Sequence, residues 1–359
     1  PYTTLFRSSR ARESTVFLLL GKFRLPILCF SAIMKSIILA TRSVGILLDS
    51  LILSLEIVLP LFLLMAVGYG IKLTGMMNET TVKQVNKVIF KIFLPLLVFV
   101  NIYDTELAES FNSQLLLYAV AGVSIQFVLS LCLAILLEKD NSRRGVMLQG
   151  MFRSNFVLFG IPISTALFGD TAAGLASILI AVIIPLYNVL AVISLEMFNG
   201  KKPNFGKILL GIVTNPLIIG SVLGVLFVVF CVPLPTPVYD TVSQMKEIAT
   251  PLAFIILGAS FNFGDVGRYI KEVLIVLGAK LVAFPALFLG IAILLGFRDA
   301  PLAVLLTVFG APIAVSSFTM AQQMGGDDKL AGQLVVFSSI LSIGTMFLLI
   351  FFLREMAFL

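Results

Sequence analysis

The sequence predicts an all-α integral membrane protein: ten transmembrane helices arranged as two inverted five-helix repeats, with crossed, proline-broken helices four and nine. Three observations carry that expectation. Of the 359 residues, 59% are hydrophobic and 12% charged, with a mean hydropathy of +1.09; soluble domains run nearer half apolar and a quarter charged. From Ser50 onward the chain falls into apolar runs of roughly 20 residues, the length that crosses about 30 Å of hydrocarbon at 1.5 Å per residue. Prolines at matching places in two of these runs return 156 residues later, and a longer motif returns after 150.

Residues 1–47 do not share the pattern. PYTTLFRSSRARES is polar and basic, and the apolar stretch after it is interrupted by Lys22, Arg24, Pro26, Lys35 and Arg42. The opening PYTTLFRS resembles translated sequencing-adapter sequence, and neither the n-region nor the h-region of a secretory signal is clean. This segment is read as a doubtful or non-native extension. The first repeat is then expected over 48–198 and the second over 206–359.

Spans are predicted at 51–73, 84–103, 114–137, 145–168, 173–197, 206–231, 241–262, 271–295, 301–323 and 331–354. Basic residues, among them Lys72, Lys83, Arg143, Arg144, Lys201, Lys202, Arg268 and Lys329, gather in alternate connections, while Asp104, Glu106, Glu109, Asp170 and Asp299 occupy the others. By the positive-inside rule the basic connections are cytoplasmic. The formal net charge of +6 is therefore a topology signal rather than a nucleic-acid surface, because no basic face with interleaved aromatics is formed.

The repeat rests on particular residues. Leu59-Pro60-Leu61 has a counterpart in Asn215-Pro216-Leu217, and Leu94-Pro95-Leu96 in Thr250-Pro251-Leu252; Phe159-Gly160-Ile161-Pro162-Ile163 matches Phe309-Gly310-Ala311-Pro312-Ile313. Five spans per half make the second half enter from the opposite side. In transporters built this way the broken helices mark the binding site. Proline removes a backbone donor and clashes with the carbonyl one turn back. Breaks are therefore expected at Gly160 and Pro162 and again at Gly310 and Pro312, and broken backbone at membrane depth survives only in protein or beside a cavity.

Each helix restarting after its proline would present free N–H groups, near Ile163 and Ile313, to the crossing region. Such ends favour an anion. Asn155, an amide close to the break, is the side chain expected to touch a ligand, since burying it without a partner is costly. Ser316 could add a hydroxyl, although a bond to its own helix is the ordinary use of such a group. Lys280 lies well inside a span and should face protein or water; it either pairs with a substrate carboxylate or satisfies carbonyls at a helix end. Asn101 and Asn188 suit cavity lining and helix-helix hydrogen bonding equally. Arg153, about two turns into span four, is expected to snorkel to the surface.

Other classes are excluded by what the chain lacks. It has no histidine, and its three cysteines, Cys29, Cys132 and Cys231, have no metal-ligand spacing. No phosphate-binding loop and no convincing nucleophile-base pair is present, so no cofactor, metal or enzymatic role is expected.

Taken together, LPLFLLMAVGYGIKLTGMMNE, VNKVIFKIFLPLLVFVNIY, SNFVLFGIPI, LYNVLAV, TNPLIIG and GAPIAVSSFTMA resemble the auxin efflux carrier family, in its bacterial malate-permease-like branch, over essentially all of 48–359. The resemblance implies a fold like that of sodium–proton antiporters and bile-acid symporters. Helices one, two, six and seven would form a scaffold and a homodimer surface. The remaining six would form a domain that moves as an elevator, and Asn155 would fall where plant members contact a carboxylate. It also implies a multi-pass protein of the plasma or inner membrane carrying small organic anions. Ser154 replaces the proline that precedes the asparagine in plants, and the long loop of plant carriers is absent at 199–207, so auxin itself is not the expected cargo. The competing expectation is a sodium-coupled organic-anion symporter of the bile-acid type.

Overall fold

The computed structural model describes residues 51–105, 112–199 and 205–359; the doubtful segment at 1–47 lies outside them. Twelve helices make up the described chain. They are α1 (Leu51–Leu73), α2 (Glu79–Tyr103), α3 (Ser113–Leu137), α4 (Asn141–Phe152), α5 (Phe156–Phe198), α6 (Phe205–Thr214), α7 (Pro216–Val229) and α8 (Thr236–Ser260). After them come α9 (Phe263–Leu294), α10 (Asp299–Gly310), α11 (Ser316–Gln323) and α12 (Asp328–Glu355).

Six helical stretches are long and apolar enough to cross a membrane, α4 and α5 counting as one, and a seventh qualifies if α6 and α7 are one span bent by 57°. That bend sits at Asn215, whose side chain accepts the N–H of Leu217, while Pro216 opens α7. The helix therefore restarts with a proper cap rather than fraying. Asp140 caps α4 in the same way; the Ser142 hydroxyl and amide hold its carboxyl below the usual carboxylate range.

Burial runs in the sense expected for a protein in lipid. Leu59, Phe62, Leu63 and Val67 of α1 and Leu117, Val128 and Leu136 of α3 are exposed, which in water would be an aggregation surface and in a bilayer is the lipid face. The most apolar window of α4 and α5 is 67% buried against 28% in α1 and α3. The broken helices thus lie at the centre.

Two pairs of helices meet at the level of the backbone. A Cβ on Gly68 of α1 would overlap the carbonyl oxygen of Ile255 in α8, and one on Gly224 of α7 would stand 3.0 Å from the carbonyl oxygen of Phe99 in α2. Adding 156 to Gly68 and to Phe99 gives Gly224 and Ile255, the same offset that relates the two Pro-Leu matches. Only glycine lets two helices approach this closely.

One expectation about the breaks is corrected. The first interruption is not at Gly160 and Pro162: α4 ends at Phe152, residues 153–155 leave the helix, and α5 runs through Pro162. Pro162 falls in the second turn of α5, where its missing N–H costs a single bond to the carbonyl of Leu158 and does not stop the helix. Gly160 serves packing instead, since a Cβ there would stand 2.7 Å from the ring of Phe156. The second interruption, between Gly310 and Ser316, does contain Pro312 and Ile313. The repeated five-residue motif thus spans a helix interior in one half and a break in the other.

Candidate functional site

The two breaks touch. The backbone N–H of Asn155 donates to the carbonyl of Pro312 over 2.7 Å. Beside them lies a cavity of about 560 Å³, its mouth included, walled by Arg153, Ser154 and Asn155 from the first break and Ala314, Val315 and Ser316 from the second. Leu94, Val98 and Asn101 of α2, Tyr187 and Asn188 of α5, Leu217 of α7 and Thr250 of α8 close the other sides.

Each break is fastened by groups from other helices. The carbonyls at the end of α10 would be orphans in a membrane interior, and they find donors. Ser154 Oγ donates to the Thr307 carbonyl at 3.2 Å, the Tyr187 hydroxyl to Val308 at 3.2 Å and Lys280 Nζ to Phe309 at 3.4 Å. At the end of α4, Gln126 Nε2 of α3 donates to the Met151 carbonyl at 3.0 Å. Gln126 and Lys280 thus do the same task for the two interrupted helices, and a cation at a helix C-terminus also meets the negative end of its dipole. Of the two uses expected for Lys280, the structure gives it the helix end.

The opposite ends of the two breaks differ. The first-turn N–H groups of α5, at Phe156, Val157 and Leu158, have no acceptor earlier in their helix, and Val157 and Leu158 line the cavity. On the other side Ile313 donates to Ser338 Oγ at 3.2 Å, and Ala314, Val315 and Ser316, where the link enters α11, lie on the cavity wall, with the Ser317 and Phe318 N–H groups bonded back to the carbonyls of Ala314 and Val315. Asn155 Nδ2 and Asn101 Nδ2 are buried without an acceptor. Every unpaired group named here is a donor, and none of the lining residues is Asp or Glu. An anion is the ligand that such a wall can satisfy.

The residues singled out in the sequence separate accordingly. Asn155, Asn101, Asn188 and Ser316 are brought together on the cavity wall. Pro312 contributes its carbonyl to the junction and Ile313 is held behind it, while Gly310 packs against Met346 and Leu349. Gly160, Pro162, Ile163 and Lys280 do not line the cavity. Asn188 both lines the wall and bridges helices: its Oδ1 accepts from Arg153 and its Nδ2 donates to Ser221 Oγ at 3.1 Å.

Arg153 does not snorkel. It is buried, at 4% exposure, and lies on the cavity wall, because the break at 153–155 turns the chain inward just where a continuous helix would have carried it towards the surface. Gln126 and Thr250 escaped notice in the sequence. Gln126 was findable as a lone amide in the apolar run VSIQFVLS, by the reasoning applied to Lys280.

A family model described as membrane transport protein matches residues 53–350. The chain belongs to this family. Its curated relatives agree with the membrane transport assignment. A protein of Methanothermobacter thermautotrophicus named only as an uncharacterized transporter is 26% identical over 300 residues, 81% of this chain and 95% of its own length. A Rhizobium meliloti protein, whose given name is that of a proposed malonate transporter, is 24% identical over 310 residues, covering 83% of this chain and 95% of the relative. Another uncharacterized transporter, from Methanocaldococcus jannaschii, is 25% identical over 306 residues, 80% of this chain and 95% of the relative. As a member of the membrane transport family with several apolar helices, the chain is a multi-pass protein of the cell membrane, and the auxin efflux carrier resemblance is borne out at the level of the family.

Proposed function

We propose that the chain is a secondary transporter that moves small organic anions, carboxylates such as malate or malonate, by elevator-type alternating access. The observation that carries this reading is the meeting of the open N-terminal end of α5 and the unpaired Asn155 amide at one cavity free of carboxylates. Membership of the membrane transport family supplies the class of activity, and one relative's name offers a dicarboxylate as the kind of cargo.

The elevator reading divides the chain into a frame of α1, α2 and α6 to α8 and a moving part of α3 to α5 and α9 to α12. Counting α4 with the first arm of α5, α6 with α7, and α10 with α11 as interrupted crossings brings the number of spans to ten. Two paired features support the inverted repeat: the contacts at Gly68 and Gly224, and the parallel service of Gln126 and Lys280. The frame is closely packed at Gly68 and Gly224, while the moving part contains both breaks that border the cavity. The frame would also be the surface for a homodimer.

The test is uptake of labelled malonate and malate into proteoliposomes, with sodium and proton gradients imposed separately. Saturable uptake of either acid is expected, competed by other carboxylates. Absence of uptake and of carboxylate binding would overturn the proposal. Uptake that requires a sodium gradient would assign the chain to the sodium-coupled, bile-acid type of symporter instead.

A further inference from the structure

The organic-anion reading makes no use of the one cation on the cavity wall. Arg153 is buried, yet among the described residues no carboxylate forms a salt bridge with it. Its partners are neutral: Nη2 donates to Asn188 Oδ1 at 2.8 Å, and Nη1 lies 2.7 Å from Met320 Sδ. A guanidinium carries five donors in a planar fork matched to a carboxylate. A thioether is a weak acceptor and leaves that fork poorly used. Buried cations at membrane depth without a counter-ion are costly, and they mark a place where charge is completed by something else.

Asn155 supplies the second half of the argument. It stands two residues from Arg153 in the same non-helical link, both line the same cavity, and its Nδ2 is buried without an acceptor. The cavity therefore has two places for negative charge. One is made by Asn155 with the first-turn N–H groups of α5, the other by the Arg153 fork.

We propose that Arg153 is the specificity-determining residue for a dicarboxylate substrate, one carboxylate lying at the α5 end with Asn155 and the other paired with the guanidinium. This rests on the organic-anion reading above. A monocarboxylate fills the first place and leaves Arg153 with its neutral partners; a dicarboxylate completes both. Asn188 then acts as a positioning residue, since its bonds to Arg153 and Ser221 fix the direction of the fork.

The experiment compares acids of equal carbon number on purified protein at pH 8, succinate against butyrate and malonate against propionate, by calorimetry and thermal shift. Wild type is expected to bind each dicarboxylate about tenfold or more tighter than its matched monocarboxylate, the size of a charge-assisted bidentate pair. Arg153→Gln is expected to lower the affinity for monocarboxylates and dicarboxylates alike, through the lost positive charge, but to lower it much further for the dicarboxylates, so that the ratio collapses. Arg153→Lys, which keeps the charge and loses the fork, is expected to lower the ratio without abolishing it. Equal wild-type affinity for both members of a pair would overturn the proposal without any variant. An unchanged ratio in Arg153→Gln, or in Arg153→Lys should the first not fold, would overturn it as well. These failures leave the organic-anion reading standing, whereas failure of wild type to bind any of the four acids would remove both.

Discussion

Asn155 and Pro312 are joined main chain to main chain, the N–H of one donating to the carbonyl of the other at 2.7 Å. The side chain of Asn155 takes no part in that bond. Its Nδ2 is left as a buried donor beside the cavity.

Asn155→Ala should therefore separate architecture from binding. The junction survives because its donor is backbone, so the melting temperature without ligand should stay close to that of wild type. Carboxylate affinity should fall about tenfold, the worth of a hydrogen bond to a charged group. Saturation binding on the purified variant checks this, and wild-type affinity would withdraw Asn155 from the site.

Gly68→Ala has an internal control. A Cβ at Gly68 would overlap the carbonyl oxygen of Ile255, while one at Gly70, a half-turn away, meets nothing within 4 Å. Gly68→Ala should lower stability by about 1–3 kcal/mol or more by forcing α1 and α8 apart, and Gly70→Ala should change it little. Thermal unfolding in detergent of the two variants side by side measures the difference.

Gln126→Leu should cost about 1–3 kcal/mol, the penalty for leaving the buried Met151 carbonyl without its donor. Gln126→Glu should cost less than Gln126→Leu at acidic pH, where the buried carboxyl is neutral and its O–H can donate to that carbonyl, and should lose stability as the pH is raised. Chemical denaturation of both variants ranks them, and a Gln126→Leu protein as stable as wild type would show that the bond adds nothing.

Asn86 of α2 and Gln322 of α11 meet across the two helices. Their side chains bond at 2.7 Å, and Gln322 passes the link on to Asp328 at 3.0 Å. Along α2, Glu79 to Lys83 border a second cavity of about 690 Å³ and Leu94 to Asn101 border the site; along α11, Gln322 borders the former and Ser316 the latter. Asn86 falls between those two stretches of α2, so its bond to Gln322 is the expected barrier between the cavities. Asn86→Ala should raise the labelling rate of a Ser316→Cys reporter from the side bearing Lys83, by severalfold, in a protein whose own cysteines have been replaced. An unchanged rate would mean that the apolar packing around Ile89 and Phe90 is the barrier.

Most of the helices were legible because a span of lipid imposes a length and a composition that few other structures share. The breaks were harder. Pro162 looked like the stronger interruption, but a proline in the second turn of a helix loses one bond, and the link at 153–155 contains neither glycine nor proline to announce itself. Asn155 lies on the cavity wall, where the expectation put it, because an amide at membrane depth is expensive wherever the break lies. Arg153 was misplaced for the converse reason: two turns from a span end, a long cation normally reaches water, and only the inward turn of the link keeps it from doing so. Lys280 was read correctly as facing protein, and its choice between a ligand and a helix end depended on the position of α10, which no local pattern contains.

Gly169 carries a last consequence. It is the single non-helical residue within α5, at φ 67° and ψ −155°, a backbone conformation open to glycine alone. The arm at 156–168, whose first turn faces the cavity, is thus coupled to the helix at 170–198 by a joint one residue long. Such a joint can pivot but has no length to give. Any stroke that displaces the first arm must drag the second with it, so the travel has to be taken up elsewhere, at connections such as 138–140 before α4 and 324–327 before α12. In such a stroke the two arms would stay linked end to end, and the contacts that Tyr187 and Asn188 make with the cavity wall would have to change with any pivot at Gly169.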